Sequence, residues 1–531
     1  MLAGQPVVIL RDNIERTKGH EAQQSNILAA KAISAAVRTT LGPRGMDKML
    51  VSGSGDVTIT NDGATILREL SVQHPGAKMM VEVAETQDDE VGDGTTTACI
   101  LGGAFMEQAG TMLTKDIHPT IIAIGYRKGM EKALEILNDL IITVTPEDRE
   151  VLLQIASTSM TGKSIESVKD RVAGIIVDAV QAVAETKNGK TVIDEDDVAV
   201  TKEVGDSMDD AELVKGVVIN KKRVADGMPR RVENAKVALL AQPLEITKTQ
   251  VKSKIKISGS EQLTAFGDQE RESLKKLADG IRNAGVNVVL CQKGIADAVQ
   301  YYLMKYGIFA VEDVAEKDMK FAAKALNAVI VNKVQEISPE VIGSAGYVEQ
   351  FEDADLVKIA ECPNPKAVTI LLRGSTQHLI DELERAVEDA RRVVQDALED
   401  GTFVVGGGSV ETEMMLRIRD YAASVGGRTQ IALEAYAAAF EEIPKTLAEN
   451  SGFDPIDKVV DLKKAHAAGK KYAGLNVYTG EIVDMKAERV FEPARVKKQA
   501  IMSATEMAAM LVRVDDMFVT VKKSAPSGPV A

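Results

Sequence analysis

The chain has 531 residues, 45% of them hydrophobic and 27% charged, so it is too long for one core and carries apolar material for two to four domains. The 64 basic and 79 acidic residues leave a net charge of −15, spread along the chain, which excludes the concentrated basic surface that a nucleic-acid backbone requires. Trp is absent, aromatics are 4%, and Cys99, Cys291 and Cys362 are far apart, so an aliphatic interior is expected and neither a disulfide framework nor a Cys-rich zinc site is indicated. A reducing cytoplasm fits that cysteine usage. No apolar run is long enough to span a membrane and the first 16 residues lack one altogether, so the chain is expected to stay soluble where it is made, with no membrane partner.

An extended start at residues 7–10 offers a strand for pairing with a neighbour. Residues 21–40 then place Ile27, Ala30, Ile33, Ala36 and Val37 on one helical face. That helix stops at Leu41-Gly42-Pro43-Arg44-Gly45, where proline removes an amide and glycines relax the backbone, which suits either a plain terminator or a phosphate contact. Residues 57–60 read as a strand entering Asn61-Asp62-Gly63-Ala64-Thr65, a tight turn with a carboxylate at its tip. Helical patterns through 77–85, 96–113 and 119–140 make the first region largely helical to about residue 145.

Between the first two of those helices lies Asp88-Asp89-Glu90-Val91-Gly92-Asp93-Gly94-Thr95-Thr96-Thr97. Gly92 and Gly94 let the backbone turn tightly, and Thr95, Thr96 and Thr97 can cap the following helix and offer amides to an anion. The natural guest is a phosphate. Asp93 would repel it unless a hard cation such as Mg2+ lay between them. An ordinary acidic loop ahead of a helix has the same composition.

Gly162-Lys163-Ser164 and Gly189-Lys190-Thr191 resemble the end of a P-loop, but Ser157 and Ala184 stand where the first glycine belongs and no clear short strand precedes either. Lys163 remains a residue that could touch a phosphate from outside, or a solvated lysine after a turn. From residue 217 the pattern changes to buried strands at 217–219, 237–240 and 286–290, followed by a helix over 295–305 and an apolar run at 308–311, an alternating α/β arrangement. Within it, Lys252, Lys254 and Lys256 alternate with apolar and small residues, and residues 262–283 form a long charged helix. That stretch reads as a projecting arm or as a routine amphipathic strand and helix.

Residues 381–400 form a helix with the stripe Leu383, Val387, Ala390, Val394 and Leu398, and at about 100° per residue Asp389 falls at the stripe's margin, where it can enter a cleft or simply be solvated. Val404-Val405-Gly406-Gly407-Gly408 is a strand running into a triple glycine, where backbone can approach a ligand. Helices over 411–421, 430–442 and 445–450 restore the Ala-rich texture of the start, so the two chain ends are expected to form one interrupted domain. Residues 475–480 and 490–493 supply polar groups that suit a base or ribose, or ordinary turns; residues 524–531 read as disordered.

Taken together, Thr39-Thr40-Leu41-Gly42-Pro43-Arg44-Gly45-Met46-Asp47-Lys48-Met49, Asn61-Asp62-Gly63-Ala64-Thr65, Gly92-Asp93-Gly94-Thr95-Thr96-Thr97 and Val405-Gly406-Gly407-Gly408 resemble the signature strings of the group II chaperonin family, that of the archaeal thermosome and the eukaryotic cytosolic chaperonin. They occur in the family's order and the match spans almost the whole chain. The resemblance implies a multidomain α/β fold: a helical equatorial ATPase domain from 1–146 and 405–531, a hinge-like intermediate domain from 147–216 and 370–404, and an α/β apical substrate-binding domain at 217–369. A helical protrusion at about 246–282 would act as a built-in lid, with no separate lid cofactor.

The resemblance further implies a double ring of about eight subunits each, homo-oligomeric or shared with paralogues, acting on non-native polypeptides with ATP and Mg2+. Thr40, Leu41, Gly42 and Pro43 are then phosphate contacts, Gly94, Thr95, Thr96 and Thr97 the cradle, and Asp93 the metal ligand. Asp62 and Asp389 are the catalytic pair that positions and activates water, Gly407 and Gly408 pass close to the nucleotide, Lys163 senses the phosphate, and Asn476 and Glu492 meet adenine and ribose. The tail lacks the Gly- and Met-rich repeats some members carry. A nucleotide-binding holdase or structural ring with slow turnover is the alternative of different class; a small-molecule kinase is more distant, since no Walker or kinase signature is present.

Overall fold

A computed structural model describes residues 14–163, 165–205, 207–245, 260–351, 355–363 and 365–520. The expected strand at 7–10, Ser164, the lysine alternation at 252–256 and the tail at 524–531 lie outside the described residues. Met1–Lys169 with Arg392–Ala531 forms one compact unit, and Asp170–Arg391 a second. Along the chain the first unit carries α1 (His20–Arg38), α2 (Gly63–Glu69), α3 (Pro75–Val91), α4 (Thr95–Leu113), α5 (Pro119–Leu140) and α6 (Arg149–Met160). The second carries α7 (Lys169–Val183), α8 (Ser260–Asn283), α9 (Asp297–Lys305), α10 (Glu316–Leu326) and most of α11 (Gln377–Asp400). The first resumes with α12 (Ser409–Val425), α13 (Gly427–Ala439), α14 (Glu442–Asn450), α15 (Pro455–Ala467) and α16 (Ala494–Leu511).

Three helices of the first unit, α3, α5 and α15, start where the sequence supplies both a cap and a proline. His74 Nδ1 accepts the Gly76 amide ahead of α3 at 3.1 Å, and Asp454 Oδ1 accepts those of Ile456 and Asp457 ahead of α15, each with Pro at the first helical position. The core helix is α4, buried over most of its surface because small residues let neighbours close in from several sides. Phe105 of α4 stacks on Tyr436 of α13 with centroids 4.5 Å apart, and Tyr126 and Phe440 complete the cluster. The hydroxyls are not stranded: Tyr126 donates to the Phe105 carbonyl at 2.6 Å, and Tyr436 bonds Thr505 Oγ1 at 2.8 Å. Gly125 and Gly129 let α5 approach α13 directly, since a side chain at either would strike Ala432 or Tyr436. The two ends of the chain therefore share one core, and strand Ile14–Lys18 pairs antiparallel with Asp516–Thr520.

The second unit is built on a mixed seven-stranded sheet in the order Phe309–Val311, Val288–Cys291, Arg231–Leu240, Gly343–Gln350, Val357–Ala360, Val217–Ile219, with Ile330–Val331 pairing off Arg231–Leu240. Alternate residues serve opposite faces: Val237, Leu239, Val288 and Leu290 pack with Met319 and Ala322 of α10, whereas Ala238, Leu240 and Val289 pack with α8 and α9. Burial on both faces explains the continuous apolar runs. A separate three-stranded sheet joins Val198–Val204, Val368–Gly374 and Glu212–Val214. Helix α8 is exposed over residues 268–273 but docks from Leu274 onward, with Ala278 and Ile281 fully buried and Tyr306 donating to Asp279 at 2.6 Å. The C-terminal half of α8 thus belongs to the core, as the amphipathic-helix reading expects.

Candidate active site

The site begins where α3 stops. Gly92 takes φ 78° and returns its amide to the Asp88 carbonyl at 2.9 Å, and a side chain there would lie 2.5 Å from Arg392 Cδ. Arg392 in turn donates to the Asp88 carbonyl at 2.6 Å. Asp93 folds back so that Oδ1 accepts the Gly94 amide at 2.7 Å, while the buried Gln87 side chain donates to the Asp93 carbonyl at 2.7 Å. Gly94, at φ 80°, starts α4, so the amides of Thr95, Thr96 and Thr97 lie in a first turn that has no intrahelical acceptor for them.

A second helix N-terminus meets the first. Asp62 caps α2, its Oδ2 accepting the Thr65 amide at 2.7 Å, and its Oδ1 takes the Thr95 hydroxyl at 2.9 Å. At Gly63 a Cβ would stand 2.9 Å from Thr96 Oγ1 and 3.0 Å from the Thr96 nitrogen, so only glycine permits this approach. Burial pushes the Asp62 carboxyl up, but the Thr65 amide and hydroxyl, the Lys163 ammonium and the Thr95 hydroxyl outweigh it and hold the group below its ordinary value. Asp62 is thus an anion over the working pH range.

The Leu41-Gly42-Pro43 turn closes on the same place. Thr40 Oγ1 lies 3.4 Å from Thr96 Oγ1, and Asn450 of α14 holds the turn by donating to the Arg38 and Leu41 carbonyls at 3.1 and 2.9 Å. A Cβ on Gly42, at φ 79°, would meet Leu447 Cδ2 at 2.5 Å, and one on Gly408, at φ 75°, would meet Pro444 Cβ at 2.9 Å. One helix, α14, therefore brackets both glycine turns. Gly162 packs on Pro43 and accepts Asn61 Nδ2 at 3.2 Å, which anchors Lys163 between the Pro43 and Asp62 turns.

Glu492 in strand Phe491–Pro493 lies over Gly406, whose added Cβ would be 2.9 Å from Oε1. Gly407 presents its carbonyl to the Leu475 amide at 2.9 Å. Asn476 spends its side-chain oxygen on the amides of Tyr478 and Thr479, at 3.0 and 3.2 Å, and donates to Glu488 at 3.4 Å, so it shapes the turn of hairpin Ala473–Leu475 and Ile482–Asp484. Asp389 sits half-buried on α11 in the second unit; the geometry above is that of the first unit alone. Gly189 lies in the turn of a two-stranded hairpin, Glu185–Lys187 and Lys190–Val192, which accounts for that P-loop likeness.

Sequence reading missed Gln87, Thr65 and the buried Lys497. Gln87 and Lys497 carried a signal: each interrupts an apolar helical stripe, Met80, Ala84, Gln87, Val91 in α3 and Ala494, Lys497, Ile501, Ala504 in α16. Thr65 gave none beyond its place after a cap. Among the described residues no group of three or more His, Cys, Asp or Glu is arranged to hold a metal unaided. Asp93 keeps one oxygen outside the described hydrogen bonds, which fits a cation shared with phosphate oxygens.

Two helix N-termini, glycine turns that admit no side chain and an ionised, half-buried aspartate thus meet in the first unit. The TCP-1/cpn60 chaperonin family model matches residues 33–522, and the chain belongs to that family. It is 53% identical to the thermosome subunit beta of Archaeoglobus fulgidus over 97% of this chain and 95% of that one. It is also 51% identical to the thermosome subunit of Methanopyrus kandleri, over 97% and 96%, and 49% identical to the thermosome subunit alpha of A. fulgidus, over 99% and 97%. No helix among the described residues is long and apolar enough to cross a membrane.

Proposed function

We propose that this chain is a subunit of an ATP-driven folding chamber, which binds Mg-ATP in the first unit, hydrolyses it and uses the cycle to close a ring around non-native polypeptide in the cytoplasm. The observation that carries the reading is the meeting of α2 and α4 at their N-termini around Asp62 and Asp93, with the Gly42 and Gly408 turns bracketed by α14. Amides of Thr95, Thr96 and Thr97 and the Thr40, Leu41, Gly42 and Pro43 turn take the phosphates, with Gly94, Gly407 and Gly408 allowing the backbone to come close. Asp93 would hold Mg2+, which when bound neutralises phosphate charge. Asp62 accepts a hydrogen bond from the attacking water and, with Asp389, orients it; held below its ordinary value, the Asp62 carboxylate is a weak base and works mainly by placement. Lys163 senses the phosphate, and Asn476 and Glu492 serve base and ribose.

The domain reading proposed with it is equatorial at 1–146 and 405–531, intermediate at 147–216 and 370–404, and apical at 217–369, with a protrusion at about 246–282 as built-in lid. The chain purified alone is expected to give a particle of about sixteen subunits by native mass measurement, doubly ringed in end-on and side images, that releases phosphate from Mg-ATP. A stable monomer in nucleotide would defeat the ring, and a ring without phosphate release would leave the holdase.

Asp93→Asn should weaken Mg-ATP binding by about tenfold or more while metal-free ATP binds nearly as before. Asparagine can still accept the Gly94 amide, so the turn survives and only the anionic ligand is lost. Equal losses in the two titrations would remove the metal role.

A further inference from the structure

The polar group that the function above leaves unexplained is Lys497. It lies near the start of α16, where a helix disfavours a cation, and it is 7% exposed, so both its surroundings and its place on the helix work against its charge. Two carboxylates receive it: Glu411 Oε1 at 2.7 Å, from the first turn of α12 after the triple glycine, and Glu492 Oε1 at 3.1 Å. Glu411 is 2% exposed and its Oε2 is buried with no partner among the described residues, so the lysine is its main compensation. Burial pushes the Glu492 carboxyl above its ordinary value, as do the charges of Glu411 and Asp93, and Lys497 is what pulls it down. A network held in this way over Gly406 is costly as mere filling, because apolar residues of similar size would serve a core equally well.

We propose that Lys497 is a positioning residue of the nucleotide site, fixing the Glu492 carboxylate over the Gly406 backbone as a pure acceptor for the vicinal hydroxyls of a ribose and so making the site selective for ribonucleotides. The inference rests on the nucleotide reading of the cradle and adds to it the residue that sets sugar selectivity. A carboxylate that only accepts pairs with two adjacent hydroxyls, whereas a protonated or swung-away one forfeits at least one of those bonds. Lys497 reaches the sugar only through Glu492, since its two ion-pair partners among the described residues are Glu411 and Glu492. Its loss should therefore register in affinity and sugar preference more than in the cleavage of nucleotide already bound.

The test is equilibrium binding of Mg-ATP and Mg-2′-deoxy-ATP to the assembled protein, beside single-turnover cleavage of prebound ATP. The wild-type protein should prefer ATP by about tenfold or more. Lys497→Met should lose most of that preference by weakening ATP alone, Lys497→Arg should restore it, and Lys497→Met should add nothing in a Glu492→Gln background. Because a lone Glu411 charge could prevent folding, Glu411→Gln/Lys497→Met removes the buried pair together and should show the same lost preference. Retained preference in that double variant, equal weakening of both nucleotides in Lys497→Met, or no preference in the wild type would overturn the proposal. Failure of the wild type to bind either nucleotide would instead sink the nucleotide reading itself.

Discussion

Replacing Asp389 with alanine is expected to slow single-turnover hydrolysis of prebound Mg-ATP by roughly 10²-fold or more while equilibrium ATP binding changes little. The helix will survive the change. Ile380, Leu383, Val387, Ala390, Val394 and Ala397 are all fully buried and fix α11, and alanine is the better helix former. What disappears is a half-buried carboxylate proposed to orient water and not to hold the ground-state phosphates. Asp62→Asn is the companion: its amide oxygen can still accept the Thr65 amide and cap α2, and the NH2 that replaces the other oxygen can donate to the Thr95 hydroxyl, so the turn is kept and the charge is lost. A near-normal cleavage rate in Asp389→Ala ends its catalytic role, and lost binding would place it among the ground-state contacts.

The second large effect is all or none. Replacing residues 246–268 with a short flexible linker should leave ring assembly and much of ATP turnover intact while abolishing ATP-dependent protease protection of a captured client. Deleting 251–282 in one piece would take most of α8 with it. That larger deletion takes Leu274, Ala278 and Ile281 out of the core they share with Val289 and Leu303, at about 2–5 kcal/mol for each large side chain lost, and should unfold the second unit. Comparing the two deletions separates a lid from a structural helix. Unchanged protection after the shorter replacement would show that the segment is not the lid.

Much of this architecture was legible because it is local. The helices α3, α4, α5 and α12 follow from apolar spacing and from proline or glycine at their ends, and the apolar runs at 237–240 and 286–290 read as buried strands, which the structure pairs in one sheet. The turn between α3 and α4 was legible for the same reason: Gly92, Asp93, Gly94 and Thr95 are consecutive, and a turn into a helix is written in neighbouring residues. Contacts between distant residues were not legible. Nothing near Gly42 predicts Leu447, a contact that needs the two chain ends packed together, and nothing near Lys497 predicts Glu411, which lies far earlier in the chain. Asn476 was read for its chemistry, and the local competition of its own turn for the same oxygen was underweighted.

The core shared by α4, α5, α13 and α16 has a consequence for how the protein is made. As translation proceeds, α1 to α5 leave the ribosome with the faces meant for α13 and α16 uncovered, because those helices lie beyond the entire second unit. At roughly 5–20 residues per second they follow on the order of tens of seconds later. The second unit draws its cores from its own residues and can close during that interval; the first cannot. The nascent segment from α1 to α5 is therefore itself exposed to aggregation, and the pairing of Asp516–Thr520 with Ile14–Lys18 can form only once residue 520 has been made.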